Sequence, residues 1–226
     1  MKLLALETST EFCSVALWND GAIAAAQVAA GREHTRLLLP LAQELLSQQS
    51  ISLAALDGIA FGRGPGGFTG LRIAAGLAQG LGLSLNRPVI PVSTLAALAM
   101  QAHRHHASSR VLAVLDARLE EVYWAWHEFD AAGGLVAQSE EQLSAATAVR
   151  LTVRGGWTGI GSGWLKHAQA LQQNCGDLIQ RIDATAVPSA EDIARLAAQL
   201  WQRDLQAALP AEQALPVYLR NRVTQR

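Results

Sequence analysis

Leu3-Leu4-Ala5-Leu6-Glu7-Thr8, Ser14-Val15-Ala16-Leu17-Trp18-Asn19 and Ala22-Ile23-Ala24-Ala25-Ala26-Gln27-Val28-Ala29 open the chain, with Asp20-Gly21 between the second and third runs. The first is a short apolar run. The second alternates, with Val15, Leu17 and Asn19 on one side. Asp-Gly between two such runs is among the strongest short hairpin signals, because both turn positions take positive φ. Three antiparallel strands are therefore expected at the start. The period then changes. Leu38, Leu41, Ala42, Leu45 and Leu46 recur at helical spacing. Pro40 cannot donate to Arg36, so it marks either the start of that helix or a kink in it. Ile59-Ala60-Phe61 reads as a buried strand, followed by a glycine-rich turn and a helix from about Phe68. Val89 to Val92 reads as a strand and Thr94 to Ala102 as a helix. This β-β-β-α-β-α-β-α order is not that of a doubly wound dinucleotide fold. It suits an α/β architecture, a mixed sheet with helices on its faces.

The chain has 226 residues, 50% of them hydrophobic, 16% charged and 5% aromatic, with a formal charge of −1. That length suits one large or two small domains and needs no disulfide or metal staple. The apolar fraction excludes intrinsic disorder, and the balanced charge argues against a strong nucleic-acid binder acting alone. Cys13 and Cys175 make no disulfide framework. The apolar start stops at Glu7, short of a signal segment. The nearest candidate for a membrane span, Phe68 to Leu85, contains Arg72 and Gln79. A cytoplasmic protein without a membrane anchor is expected. The charge is uneven: Gly58 to Leu115 holds Arg63, Arg72, Arg87, Arg104 and Arg110 and no acid, so it carries +5 against −6 elsewhere. Such a stretch either attracts an anion or is simply an acid-poor core.

His103 to Arg110 is polar and basic and reads as a linker. After it a similar pattern recurs with an offset of 109 residues: Leu4-Ala5-Leu6-Glu7 lies over Ala113-Val114-Leu115-Asp116, Glu11 over Glu120 and Ala16 over Ala125. Each copy is an apolar strand ending in a carboxylate, a tight turn, and a second strand (Ser14 to Asn19, Glu121 to Phe129). On spacing alone, duplication and coincidence both remain open. Further on, Trp157 to Ile160 reads as a strand, Gly161 and Gly163 turn the chain into a helix from Trp164, and Ser189 to Gln206 is a helix. Ser189 with Asp192 three residues on resembles a capping box.

Gly62-Arg63-Gly64-Pro65-Gly66-Gly67-Phe68-Thr69-Gly70 is the most distinctive stretch. Between a strand and a helix, glycines let backbone approach a ligand and amides at the helix start favour anions. The competing reading is a tight turn with close helix–strand packing. The dinucleotide fingerprint fails, since no acid occurs before Asp116, and a P-loop fails, since the only lysines are Lys2 and Lys166. In the next helix Gly70, Ala74 and Ala78, and separately Gly76 and Gly80, recur every four residues. Glycine is unfavourable inside a helix, so a second helix must approach closely, from this chain or another. Thr8-Ser9-Thr10 offers hydroxyls and turn amides to a phosphate or to its own backbone. His103, His105 and His106 lack nearby cysteine or carboxylate partners and read as solvated rather than metal-binding. Ser162 lies between Gly161 and Gly163, but Ile160 occupies the first glycine of a nucleophile elbow. Trp124 and Trp126 read as sheet packing.

Taken together, Glu7-Thr8-Ser9-Thr10, Arg32-Glu33-His34-Thr35 with Leu38-Leu39-Pro40, the glycine-rich block through Leu71-Arg72, Asp116-Ala117-Arg118 with Glu121-Val122-Tyr123, and Pro216-Val217-Tyr218-Leu219-Arg220 resemble the TsaB (YeaZ) family. These proteins are bacterial accessory proteins of tRNA N6-threonylcarbamoyladenosine synthesis. The matches span nearly the whole chain; Glu7 stands where common members have Asp.

The resemblance implies an actin-like (ASKHA, ribonuclease H-like) fold of two related lobes. These are expected at 1–102 and 103–226, with the helix near 189–206 and the C-terminal tail packing back on the first. It implies a partner subunit of a complex with the catalytic paralogue TsaD and the ATPase TsaE, which modifies adenosine 37 of tRNA. It also implies tRNA contact mainly through the complex; an exposed apolar helix pair left without that partner is expected to form a homodimer. No cofactor is firmly expected in the chain, and ATP or ADP is expected, if anywhere, at the complex interface. A non-enzyme is expected. Thr94 and Leu98 stand where the paralogue's two metal-binding histidines would be, and neither suits a transition metal. Ser9 and Arg118 replace the glycines that follow the lobe carboxylates in active relatives. The expected partner face is Leu38, Leu41, Leu45, Gly70, Ala74, Leu77 and Ala78. The candidate nucleotide- or anion-binding set is Thr8, Ser9, Thr10, Gly64, Gly66, Gly67 and Arg118. The alternatives are an independent nucleotide-dependent enzyme of the same fold, and a peptidase, for which no nucleophile–base pair is evident. Glu7, Asp57 and Asp116 are the carboxylates to test.

Overall fold

The computed structural model describes residues 1–152 and 155–220. The chain divides into two compact units. The first is Met1–Ala97 with Pro188–Val217; the second is Leu98–Val187 with the C-terminal residues from Tyr218 onward.

In the first unit β1 (Lys2–Glu7), β2 (Phe12–Asn19) and β3 (Ala22–Ala29) form an antiparallel meander. Asp20 and Gly21 both take positive φ, +49° and +100°, as the Asp-Gly turn requires. After α1 (His34–Gln48), β4 (Gly58–Gly64) joins β1 in parallel. After α2 (Phe68–Leu85), β5 (Val89–Ser93) joins β4 in parallel, giving the order β3-β2-β1-β4-β5. Two parallel strands need helical crossovers, so the sheet is covered on its faces. Leu4, Leu6, Val15, Leu17, Ile59 and Phe61 meet Leu38, Leu45, Leu46, Ala74 and Ala78 in one buried cluster. Burying a side chain such as Phe61 or Leu38 contributes about 1.5–3 kcal/mol. Helix α1 continues through Pro40. A later helix, Ala190–Arg203, packs on β1, β2, β4 and β5, with the Ala190 amide donating to Ser14 Oγ at 2.6 Å. Its N-cap is Ser189, whose hydroxyl accepts from the Glu191 amide.

Helix α3 (Thr94–His106) follows β5, and the unit boundary falls inside it. The segment read as a linker, His103 to Arg110, is therefore the last turn of a helix and the first residue of a strand, with only residues 107–109 outside both. His103 holds that turn by its ring, which bonds the Ser108 carbonyl and stacks on Phe129 at 5.0 Å.

The second unit contains β6 (Arg110–Asp116), β7 (Glu121–Phe129), β8 (Leu135–Gln138), β9 (Gln142–Ala145), β10 (Trp157–Ile160), α4 (Gly163–Lys166), α5 (Ala168–Cys175) and β11 (Ile179–Asp183). The helix Ala190–Arg203 is α6. The sheet order is β11-β10-β6-β7-β8, with β9 pairing further along β7. Read from its third antiparallel strand, this is the order of the first sheet again: β8, β7 and β6 stand for β3, β2 and β1, and the parallel β10 and β11 for β4 and β5. The chain has the actin-like α/β fold with two related lobes. The register corrects one detail of the proposed repeat. Ala5 pairs with Ala16, and its counterpart Val114 pairs with Trp124, not Ala125, so the second β-turn is one residue shorter.

Candidate functional site

In the first unit the glycine-rich stretch closes over the end of β1. Glu7 is 2% exposed; its Oε1 accepts the Ser9 amide at 2.5 Å and its Oε2 faces Thr94 Oγ1 at 3.5 Å. Burial pushes this carboxyl above its ordinary value, and bonds from Ser9, Thr94 and Thr8 only partly offset that rise. A Cβ at Gly62 would stand 1.9 Å from Glu7 Oε2, and one at Gly70 would stand 1.8 Å from the Thr8 carbonyl. Both positions therefore exclude any side chain. Thr8 Oγ1 donates to the Gly70 carbonyl at 2.7 Å, and the Gly67 amide donates to the Ser9 carbonyl at 2.7 Å. Close packing of loop on strand end accounts for these glycines, as the tight-turn reading expects. Gly66 lies against Ser9, and Gly64 has φ +106° beside a cis bond to Pro65. Ser9 Oγ is buried without a hydrogen-bond partner among the described residues. Thr10 faces the next turn: its carbonyl and that of Phe12 accept from Nε2 of buried His34.

The structure thus brings Thr8, Ser9, Gly64, Gly66 and Gly67 together. Arg118 belongs to the second unit, at the end of the counterpart strand β6. There Asp116 Oδ2 accepts from Lys166 Nζ at 2.9 Å, and Oδ1 accepts from His167 Nε2 at 3.2 Å and from the Arg118 amide at 3.2 Å. The Asp116 amide donates to Ser162 Oγ at 3.1 Å. Burial raises the Asp116 carboxyl, but the bonds from Lys166, His167 and the Arg118 amide outweigh it and hold the group below its ordinary value. Sequence reasoning missed Ser162, Lys166 and His167 as partners of Asp116. From sequence, Gly161 and Gly163 read as a turn into a helix and Ser162 as an incomplete nucleophile elbow. By the repeated topology this stretch is the counterpart of the glycine-rich loop, and a Cβ at Gly161 would stand 2.6 Å from the Val114 carbonyl. Asp57, by contrast, holds a turn: its Oδ2 accepts the Lys2 amide at 2.7 Å.

The residues expected to face a partner divide by side. Leu38, Leu45, Gly70, Ala74 and Ala78 are buried within the first unit, while Leu41 and Leu77 are partly buried. A charge at Leu38 or Ala74 would break the fold, not report on an interface. The outer face of α1 and α2 presents other residues: Leu39, Phe68 and Leu83 are 36%, 40% and 61% exposed, and Gly76 and Gly80 have nothing within 4 Å of a built Cβ. Thr94 directs its hydroxyl at Glu7, and Leu98 is fully buried.

The five arginines of the acid-poor stretch do not form one patch in either unit. Arg63, Arg72 and Arg87 lie in the first unit, Arg104 and Arg110 in the second. Arg72 stacks on Phe68 at 3.8 Å, and Arg110 pairs with Glu128 at 3.1 Å. His106 approaches Asp183 at 3.4 Å. His127, not singled out by sequence, is 1% exposed; burial pushes its imidazole down to about 3. Among the described residues no helix is long and apolar enough to cross a membrane.

Residues 26–225 match the family model described as TsaD, tRNA N6-adenosine threonylcarbamoyltransferase. The chain is 40% identical to the tRNA threonylcarbamoyladenosine biosynthesis protein TsaB of Escherichia coli (strain K12), over 99% of this chain and 96% of that one. It is 37% identical to the TsaB of Haemophilus influenzae, over 99% and 95%. Among solved structures, YeaZ from Pseudomonas aeruginosa superposes with a TM-score of 0.86 at 41% identity, over 96% of this chain and 99% of that one. A second, described as an uncharacterized protein with similarity to peptidase YEAZ from Pseudomonas aeruginosa, gives 0.87 at 41% identity, over 97% and 99%.

Proposed function

The chain belongs to the TsaB family of tRNA threonylcarbamoyladenosine biosynthesis proteins, and from that premise we propose that it is a non-catalytic partner subunit. It docks on a TsaD-type catalytic subunit, with a TsaE-type ATPase joining them, and meets tRNA mainly through that assembly. The observation that carries this reading is the outer face of α2. Gly76 and Gly80 lie in open space, each costing a helix about 1 kcal/mol relative to alanine. Among the described residues neither has a neighbour within 4 Å of a built Cβ. Small residues at four-residue spacing, flanked by partly buried Ile73 and Leu77 and exposed Leu83, suit close approach of a helix from another chain. The same face would support a homodimer when the partner is missing.

The proposed absence of catalysis is supported by the uses already found for the residues at the lobe ends. Glu7 is buried against Gly62 with no cation bonded to it among the described residues, and Thr94 bonds Glu7. Arg118, exposed at the turn after β6, is assigned to a phosphate contact within the assembly, the place where ATP or ADP would enter. The test is co-purification with the catalytic subunit followed by tRNA modification with and without this chain. Gly76→Leu is expected to leave the free chain folded and to abolish co-elution; co-elution at wild-type affinity would refute the docking face.

A further inference from the structure

The turn between β6 and β7 is held in an unusual conformation. Arg118, Leu119 and Glu120 have φ of +63°, +54° and +60°. Three consecutive left-handed residues, none of them glycine, are each disfavoured by contact of Cβ with the following carbonyl, and persist only where surrounding contacts over-determine them. Here those contacts come from both sides. On one side the Asp116 carboxylate accepts the Arg118 amide while His167 and Lys166 clamp its two oxygens. Its own amide is fixed by Ser162 Oγ. His167 is 9% exposed, and its Nδ1 lies 3.8 Å from Glu120. On the other side Ala117 and Glu121 bond across the turn, and Arg220 donates to the Ala117 carbonyl at 3.0 Å and pairs with Glu121 at 2.6 Å. The outcome is an exposed Arg118 whose guanidinium has no acceptor among the described residues.

We infer that Asp116, clamped by His167 and Lys166, is a positioning residue: it holds this turn left-handed so that Arg118 meets a phosphate already oriented. The inference rests on the phosphate contact proposed for Arg118. A guanidinium fork matches phosphate oxygens in two parallel bonds, and fixing its backbone beforehand lowers the ordering cost of that match. The phosphate has two sources, ATP and the tRNA backbone.

The test uses the assembled complex and four chains: wild type, Arg118→Ala, His167→Gln and the double variant. Asp116→Asn serves as a second lesion of the clamp. KM and kcat are measured separately against ATP and against tRNA. His167→Gln is expected to raise one KM about tenfold with kcat within about twofold, and to add nothing to Arg118→Ala, because residues acting through one contact are not additive. The KM that moves identifies the source of the phosphate. Amide exchange across residues 117–121 of the free chain is expected to quicken about tenfold in His167→Gln and Asp116→Asn, while the β6 core stays protected. Unchanged exchange in both clamp variants, or losses that add to that of Arg118→Ala, would overturn the positioning role while leaving the Arg118 contact standing. If Arg118→Ala moves neither KM, the phosphate contact itself is wrong and the inference falls with it.

Discussion

Lowering the pH from 8 to 5 is expected to destabilise the second unit through His127. This side chain lies in β7, is 1% exposed, and has an Nδ1 without a hydrogen-bond partner. Burial holds the imidazole neutral, with its pKa pushed down from 6.5 to about 3; a backbone bond at Ala125 offsets this only slightly. The unfolded chain therefore binds the proton first. Stability from the neutral ring is complete above pH 6.5 and is lost as pH falls towards 3. At pH 5 the unfolded imidazole is protonated to an extent worth about 1.5 pKa units, so the loss is about 2 kcal/mol, rising to roughly 5 kcal/mol near pH 3. Glu7 acts with the opposite sign. Its raised carboxyl contributes most at low pH and loses that contribution as pH rises from 4.5. Comparing wild type with His127→Gln cancels the Glu7 contribution. Urea unfolding at pH 8 and pH 5, followed by tryptophan emission, is the assay. Trp124, Trp126, Trp157 and Trp164 report the second unit. The wild type is expected to lose about 2 kcal/mol more than His127→Gln over this interval. An equal loss in both would show that His127 is already protonated in the fold, and would refute the reasoning.

Gly70→Ala, which in an ordinary helix interior gains stability, is expected here to cost about 3 kcal/mol or more, because the new Cβ stands 1.8 Å from the Thr8 carbonyl; thermal unfolding decides the sign. Gly76→Ala, with open space around it, is expected to gain roughly 0.5–1 kcal/mol in the free chain, and calorimetry of the two single variants should move in opposite directions. Leu77→Asp is expected to leave the circular dichroism spectrum unchanged and to weaken binding of the catalytic subunit at least tenfold, whereas Ala74→Asp should fail to fold. Cys13 is fully buried and its thiol is pushed up to about 11, so thiol reagents at pH 8 are expected to label it only after unfolding. Labelling of the native chain at the rate of a free thiol would contradict this.

The first unit was largely legible because its signals are local. Asp20-Gly21 specifies its own turn, and the apolar run Phe68 to Leu85 begins at a glycine-rich break and ends at Asn86, whose φ of +51° closes the helix. What periodicity could not tell was which apolar face the chain's own sheet would cover. Leu38 and Ala74 lie inside because a parallel β1–β4 pairing brings both helices onto one face, and that pairing is non-local. The second unit has weaker signals. β8, β9 and β11 are short and half-exposed, so they lack an apolar stripe. The three histidines near 103–106 suggested a solvated linker, but His103 is drawn in by Phe129 and Ser108. The repeat slipped by one residue at β7 because the left-handed turn shortens the connection, a conformation that Arg118-Leu119-Glu120 does not advertise.

Glu7 and Asp116 hold the same place in the two sheets, at the end of the central strand and beside a loop that tolerates no Cβ. Topology makes them equivalent, and their neighbours shift their carboxyls in opposite directions. Glu7 has amide and hydroxyl donors but no bonded cation among the described residues, so desolvation dominates and its carboxyl is pushed up. At Asp116 the ammonium of Lys166, the ring of His167 and the Arg118 amide converge on one carboxylate, and the charged form prevails despite burial. In the second lobe the carboxylate is held by paired charges, and Arg118 beside it is exposed. The first lobe uses the corresponding place to lock helix α2 against the sheet. That lock fixes the angle of the helix whose outer face carries Gly76 and Gly80. The packing at the end of β1 and the docking face proposed for the helix beyond it would therefore be consequences of one arrangement.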